Sequence, residues 1–291
     1  MAEVIRGDFP GVEEHGGPPR LPSSIAALNL RPAPGEVGDN LRLAGRAIRR
    51  LCRRDPALRY VVLPELFTCA YSDLGSVHHH AEDADFGESA RFFAGLARDL
   101  GIFIAYGFPE WSAAGVFNSA NLVGPGGVLA TYRKRNLVET TPEYRVFAAG
   151  ADLPVVEAGG LRVALSICWD LGFPEVAREA AVGGAELVLA PAAWREPWGP
   201  QYGLSCAARA LDSGIHLASA NQLGVYPEAR FGTPGHVYGP DGMRLSRRFG
   251  AASIARLDPG APELWRRFYG DTLASHGRVV GIDEGPLEIV S

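Results

Sequence analysis

The sequence predicts one α/β domain made of two packed β-sheets with helices on the outside. Apolar strand patterns alternate with amphipathic helix patterns, an order that produces parallel or mixed sheets covered by helices. The strands are too many for a single open sheet. Beyond residue 23 no linker or shift of composition divides the 291 residues, a length that large α/β domains reach. The domain is therefore read as residues 24–291, behind an extension over residues 1–23.

That extension carries Gly7, Pro10, Gly11, Gly16, Gly17, Pro18, Pro19 and Pro22. It is expected to lie outside the core, disordered or laid across a partner subunit. Ser24–Leu30 reads as a first apolar strand. In Glu36–Arg54, Val37, Leu41, Ala44, Ile48 and Leu51 recur at helical spacing with arginines on the other side. Tyr60–Leu63 is a buried strand ending at Pro64-Glu65. Ser89–Leu100 is a helix closed by Gly101, and Ile102–Tyr106 a strand. Phe117–Val123 and Val128–Tyr132 form a hairpin around Gly124-Pro125-Gly126-Gly127. Leu161 begins a nearly all-apolar strand that runs into Cys168. Pro174 and Glu175 suit the first turn of the helix after it. A strand at Leu187–Ala190, a helix over Tyr202–Leu211 and a strand at Ile215–Ala220 follow. Further strands are expected near His236–Tyr238, Arg244–Ser246 and Ser253–Arg256, with one short helix pattern in the tail from Pro262.

Composition narrows the function. Hydrophobic residues make up 47% of the chain, ample for a packed core. A net charge of −5 and a pI near 5.8 argue against nucleic acid as a partner. Cys52, Cys69, Cys168 and Cys206 show no CxxC spacing, so free thiols in an intracellular protein are expected rather than a disulfide framework. No apolar run reaches membrane-spanning length and Met1–Pro22 has no signal-peptide pattern. The protein is expected to be cytoplasmic. There is no Walker A sequence, and the glycines at 124–127 join two strands rather than a strand and a helix, so they are no dinucleotide fingerprint.

Three positions draw attention for chemistry. Cys168 sits on a strand-to-helix turn beside a helix N-terminus, a place that lowers a thiol pKa. At this level it reads equally as a nucleophile or as a buried structural cysteine. A thiol nucleophile needs a base, and none of the seven histidines is placed as one. His78-His79-His80 reads as a solvated loop rather than a metal site. Glu65, just past an apolar strand, faces the same crevice if ligand sites collect at the carboxyl ends of strands. Partial burial would raise its pKa toward that of a useful base; a surface glutamate is the equal alternative. Lys134 ends another strand; it reads either as part of a solvated basic turn or as a cation that would stabilise a developing oxyanion. Its flanking residues Arg133 and Arg135 read as a solvated basic turn.

Together, Pro64-Glu65, Arg133-Lys134 and Cys168-Trp169-Asp170 resemble the nitrilase superfamily of carbon–nitrogen hydrolases. Supporting matches run over residues 24–257, among them Gly38-Asp39-Asn40-Leu41, Phe173-Pro174-Glu175 and Gly239-Pro240-Asp241-Gly242. The resemblance implies a four-layer α-β-β-α sandwich, paired into dimers or larger homo-oligomers. It implies a Glu-Lys-Cys triad of Glu65, Lys134 and Cys168 with neither metal nor organic cofactor. Glu65 would take the thiol proton, Lys134 and the Trp169 backbone N–H would hold the oxyanion, and a thioester would form and hydrolyse. Glu143 matches the additional glutamate that positions Lys134.

Two positions depart from the family pattern: Asn136 stands where many members have His, and Gly172 where many amidases have Arg. The reading favoured is an amidase acting on a small amide. A nitrilase or an N-carbamoyl amidase is the alternative, and a catalytically silent binding module of the same fold is the non-enzyme one. A cysteine protease is weaker, for want of a histidine base. Tyr71, Trp194 and Arg195 are the candidate substrate-binding residues. Because Leu171 and Gly172 carry no charge, the pocket is expected to prefer neutral aliphatic or aromatic amides to N-carbamoyl amino acids.

Overall fold

A computed structural model describes residues 22–270, 272 and 273. The expected extension over 1–23 falls almost wholly outside the described residues, as does the end of the domain read as 24–291. The elements run β1 (Ser23–Leu28), α1 (Val37–Arg54), β2 (Leu58–Val62), α2 (Glu88–Leu100), β3 (Phe103–Ser112), β4 (Gly115–Gly124), β5 (Gly127–Arg133), α3 (Glu143–Val146), β6 (Val155–Ala158), β7 (Leu161–Leu165), α4 (Pro174–Val182), β8 (Leu187–Ala192), α5 (Gly199–Ser213), β9 (His216–Asn221), β10 (Gly224–Val225), β11 (Arg230–Phe231), β12 (Val237–Tyr238), β13 (Arg247–Phe249), β14 (Ala252–Leu257) and α6 (Ala261–Tyr269). Short 3-10 turns lie at Val77–His80 and Cys168–Gly172.

One sheet has the strand order β13-β14-β1-β2-β3-β4-β5 and the other β12-β9-β8-β7-β6. Each has a parallel centre, β1-β2-β3 or β7-β8-β9, flanked by antiparallel strands. The sheets pack face to face, β1 and β2 on β9 and β3 on β8, with α1 and α2 outside the first and α5 on β9 outside the second. This is the expected α-β-β-α sandwich. Strand periodicity produces it. Ile25, Ala27, Tyr60 and Val62 point between the sheets with Val163 and Leu189. The alternate residues Ala26, Leu28, Val61 and Leu63 meet Leu41, Ile48, Phe93 and Leu96 of α1 and α2. Strands buried on both faces read as continuous apolar runs, and each full-size side chain buried there contributes roughly 1.5–3 kcal/mol. Among the described residues no helix is long and apolar enough to cross a membrane.

Some boundaries differ from the expectation, for physical reasons. β3 continues past Tyr106 through Pro109, which has no N–H to donate. β2 pairs with β3 only as far as Ala105; beyond it that side of β3 meets Pro64, Thr68 and Glu82 through single backbone bonds rather than a regular strand, an edge-like setting where proline is tolerated. The strand expected at Arg244–Ser246 shrinks to one bridge from Arg244 to Tyr238, and regular pairing resumes at Arg247–Phe249. β6, a four-residue edge strand, is too short to show a period.

Candidate active site

Four strand ends meet at one edge of the sandwich. β2 delivers Glu65, β5 delivers Lys134, β7 leads to Cys168 and β8 to Ala193. Glu65 is completely buried and spans the two sheets: its N–H donates to the Ala192 carbonyl at 3.3 Å, and its Oε2 accepts the Ala193 N–H at 2.9 Å. The close fit needs Gly107 on the neighbouring strand, where a Cβ would stand 2.5–2.7 Å from Leu66 N, Glu65 Cα and the Pro64 carbonyl. Lys134, also buried, donates from Nζ to Glu65 Oε1 and to Glu143 Oε1, each at 2.7 Å. Glu143 reaches inward from α3, and its Oε2 accepts the Val138 N–H at 2.6 Å. The three groups expected from the sequence to act with Cys168 are thus brought together.

Cys168 opens its 3-10 turn with φ at +46°, a left-handed conformation that a non-glycine residue adopts only under constraint. Glu65 and Lys134 are the charged groups that act most strongly on its thiol. Burial, with the Glu65 charge second, pushes the thiol pKa well above its ordinary value, while Lys134 opposes. This corrects the expectation of a lowered thiol pKa. α4 begins only at Pro174, and the sulfur lies in a dry site against a carboxylate. The Glu65 pKa is raised, first by burial and further by Glu143, with Lys134 opposing. For Lys134, burial is the largest influence and would lower the pKa, yet Glu143 and Glu65 together hold it well above the ordinary lysine value. The ammonium therefore stays charged.

Sequence reasoning missed Asn118. From β4 its Nδ2 donates to Glu65 Oε1 at 2.8 Å and to Glu143 Oε1 at 2.9 Å. Two carboxylates can only accept, which sets which way the amide faces. The available signal was an asparagine inside an apolar strand, costly to bury unless hydrogen-bonded. The expected solvated basic turn is also corrected. Arg133 chelates the buried Glu110 and lies 4.0 Å from the centre of the Phe117 ring, and Arg135 pairs with Glu179 of α4. The histidines at 78–80 form a short turn with the His78 and His79 rings 4.0 Å apart. Among the described residues no group of His, Cys, Asp and Glu is arranged to hold a metal ion.

Cys168 and Lys134 lie in a cleft of about 470 Å³ whose walls include Tyr71, Thr141, Trp169, Trp194, Arg195 and Trp198. Gln222 grips the Tyr71 backbone from both sides, accepting its N–H at 2.9 Å and donating to its carbonyl at 3.1 Å. The Trp194 ring is wedged between Trp169 and Tyr202, each 5.4 Å away centre to centre. Arg195 donates to Thr140 Oγ1 at 3.5 Å.

Residues 24–267 match the family model described as carbon-nitrogen hydrolase. A hydrolase of Pseudomonas protegens is 34% identical over 226 residues, which cover 76% of this chain and 77% of that one. A nitrilase of Pyrococcus abyssi is 31% identical over 204 residues, covering 69% and 75%. Among solved structures, a mutant of the amidase from Nesterenkonia sp. AN1 superposes with a TM-score of 0.70 at 28% identity, over 85% of this chain and 94% of the other. That structure shows covalent addition of the acetamide moiety of fluoroacetamide at its active site cysteine. The chain thus belongs to the carbon-nitrogen hydrolase family.

Proposed function

We propose that this hydrolase cleaves a small amide to a carboxylate and ammonia through a thioester on Cys168. One observation carries the reading: a completely buried Glu65 carboxylate holds the Lys134 ammonium at 2.7 Å, and Lys134 shares one cleft with the Cys168 thiol. Glu65 accepts the thiol proton as sulfur attacks the amide carbon, so no free thiolate needs to persist in the dry site. The carbonyl oxygen gains charge, which Lys134 Nζ and the Trp169 backbone N–H stabilise. Glu65 passes its proton to the departing nitrogen, and ammonia leaves as the thioester forms. Glu65 then takes a proton from water, whose oxygen attacks the thioester. Collapse releases the carboxylic acid and returns the proton to sulfur. Glu143 keeps Lys134 charged and aimed throughout.

A nitrile is the second candidate substrate, because a relative at 31% identity is a nitrilase. A panel of primary amides, N-carbamoyl compounds and nitriles with ammonia detection separates these chemistries. Cys168→Ala should abolish turnover while leaving the fold intact. Mass spectrometry of the wild type with a slow substrate should locate an acyl adduct on Cys168. An adduct on Cys69 or Cys206 instead would overturn the assignment.

A further inference from the structure

Asp170 lies two residues beyond the cysteine, is completely buried, and has every acceptor position occupied. Its Oδ1 accepts the backbone N–H and the side-chain Nδ2 of Asn136, each at 2.9 Å. Its Oδ2 accepts the Tyr132 hydroxyl at 2.9 Å and the Ile167 N–H at 3.0 Å. Two oxygens offer about four lone-pair sites, so no site is left for substrate or for proton transfer. The donors have a pattern. Tyr132 near the end of β5 and Asn136 just past it stand on either side of Lys134, and Ile167 directly precedes Cys168. The carboxylate therefore binds the lysine-bearing strand and the cysteine-bearing turn, which belong to different sheets. Asn136 supplies two of the four donors, and an amide donor does not titrate.

We propose that Asp170 is a positioning residue that sets the placement of Lys134 relative to Cys168, acting through Tyr132 and Asn136. The inference rests on the reading of Cys168 as nucleophile and Lys134 as oxyanion donor. Loss of one donor loosens the register between the two groups without removing either. A displacement of about 1 Å in a reacting constellation can cost roughly 100-fold in rate.

The test uses Tyr132→Phe, Asn136→Ala and their double variant in the full-length protein. Each single variant should lower kcat about 10- to 100-fold with KM within about twofold and little change in thermal midpoint. The double variant should lose less than the product of the two single losses, because both donors act through one carboxylate. A second readout is alkylation of Cys168 by iodoacetamide, located by peptide mass. Glu65, Lys134 and Tyr202 are the titratable groups that face this sulfur. With Lys134 displaced, alkylation should slow and its midpoint should move to higher pH. Asp170→Asn should exceed both single variants, since an amide NH2 would then face donors; if it does not fold, the milder pair still decides. Variants that lower the thermal midpoint yet keep wild-type kcat and an unmoved alkylation profile would overturn the proposal, leaving Asp170 as a plain structural brace. If the wild type hydrolyses no amide, the proposed function falls, and the alkylation profile alone still decides the role of Asp170.

Discussion

Replacing Lys134 by methionine removes the cation that bridges two buried carboxylates, and the structure sets what should follow. Nζ lies 2.7 Å from both Glu65 Oε1 and Glu143 Oε1. At an effective dielectric near 20, each contact is an attraction of about 6 kcal/mol. Most of that offsets the cost of drying three charges. Breaking a buried pair by removing one partner typically costs about 3–5 kcal/mol, because the remaining charge is uncompensated. We therefore expect Lys134→Met to unfold about 3–5 kcal/mol more easily than wild type at pH 8 in urea titrations. The deficit should shrink at lower pH. With the ammonium gone, a carboxyl of the pair has a folded-state pKa above its unfolded one, so the folded protein binds the extra proton. Stability is then fully present below the unfolded value near 4.3 and is lost as pH rises through the raised folded value. Lys134→Met/Glu143→Gln, with one charge fewer, should recover part of the stability at pH 8 but none of the activity, which falls roughly 10²–10³-fold with the oxyanion donor. A Lys134→Met protein within about 1 kcal/mol of wild type at both pH 5 and pH 8 would refute the claim that this ammonium neutralises the buried pair.

Other outcomes follow from the same site. Glu65→Gln should lose roughly 10²–10⁴-fold in kcat with the fold intact by circular dichroism; near wild-type turnover would make Glu65 merely structural. In the wild type, kcat/KM should decline toward acid with a midpoint above that of an ordinary glutamate, because the raised Glu65 carboxyl loses its base form as pH falls through that value. Neutral aliphatic or aromatic amides should show higher kcat/KM than N-carbamoyl-D-amino acids, given the indole and phenol walls of the cleft; the reverse preference, abolished by Arg195→Ala, would mean that the guanidinium reads a substrate carboxylate. Light scattering at micromolar concentration should give a dimer or larger assembly, and a monomer would refute that expectation.

The parts of the molecule legible in the sequence are those set by local pattern. The continuous apolar runs of β1, β2, β7 and β8 announced strands buried on two faces, and their ends announced where Glu65 and Cys168 would surface. What the sequence concealed depends on partners distant along the chain. Asn118 meets Glu65 and Glu143 only because β4 passes between the strand end and α3. Asp170 gathers donors from residues 132, 136 and 167. Arg133 reads as solvated because Glu110, its partner, stands on β3 beyond the strand end expected at Tyr106.

The reversed expectation about Cys168 has the largest chemical consequence. A thiol beside a helix N-terminus, open to water, would rest as thiolate and would attack any accessible electrophile or oxidant. Here α4 begins only at Pro174, the sulfur is buried, and the charge that acts on it most strongly is an anion. A thiol of raised pKa is a poor nucleophile until its proton moves, and the group proposed to take that proton is a carboxylate whose own pKa is also raised by burial. The two shifts oppose separate ionisation but not transfer between the pair, since moving the proton from sulfur to Glu65 conserves the charge of the buried site. In the proposed mechanism Lys134 stands where that transfer and the negative charge on the substrate oxygen develop together. On that proposal reactivity is low until an amide carbon reaches the sulfur, and the neutralising lysine, rather than a pre-ionised cysteine, is the residue on which the chemistry turns.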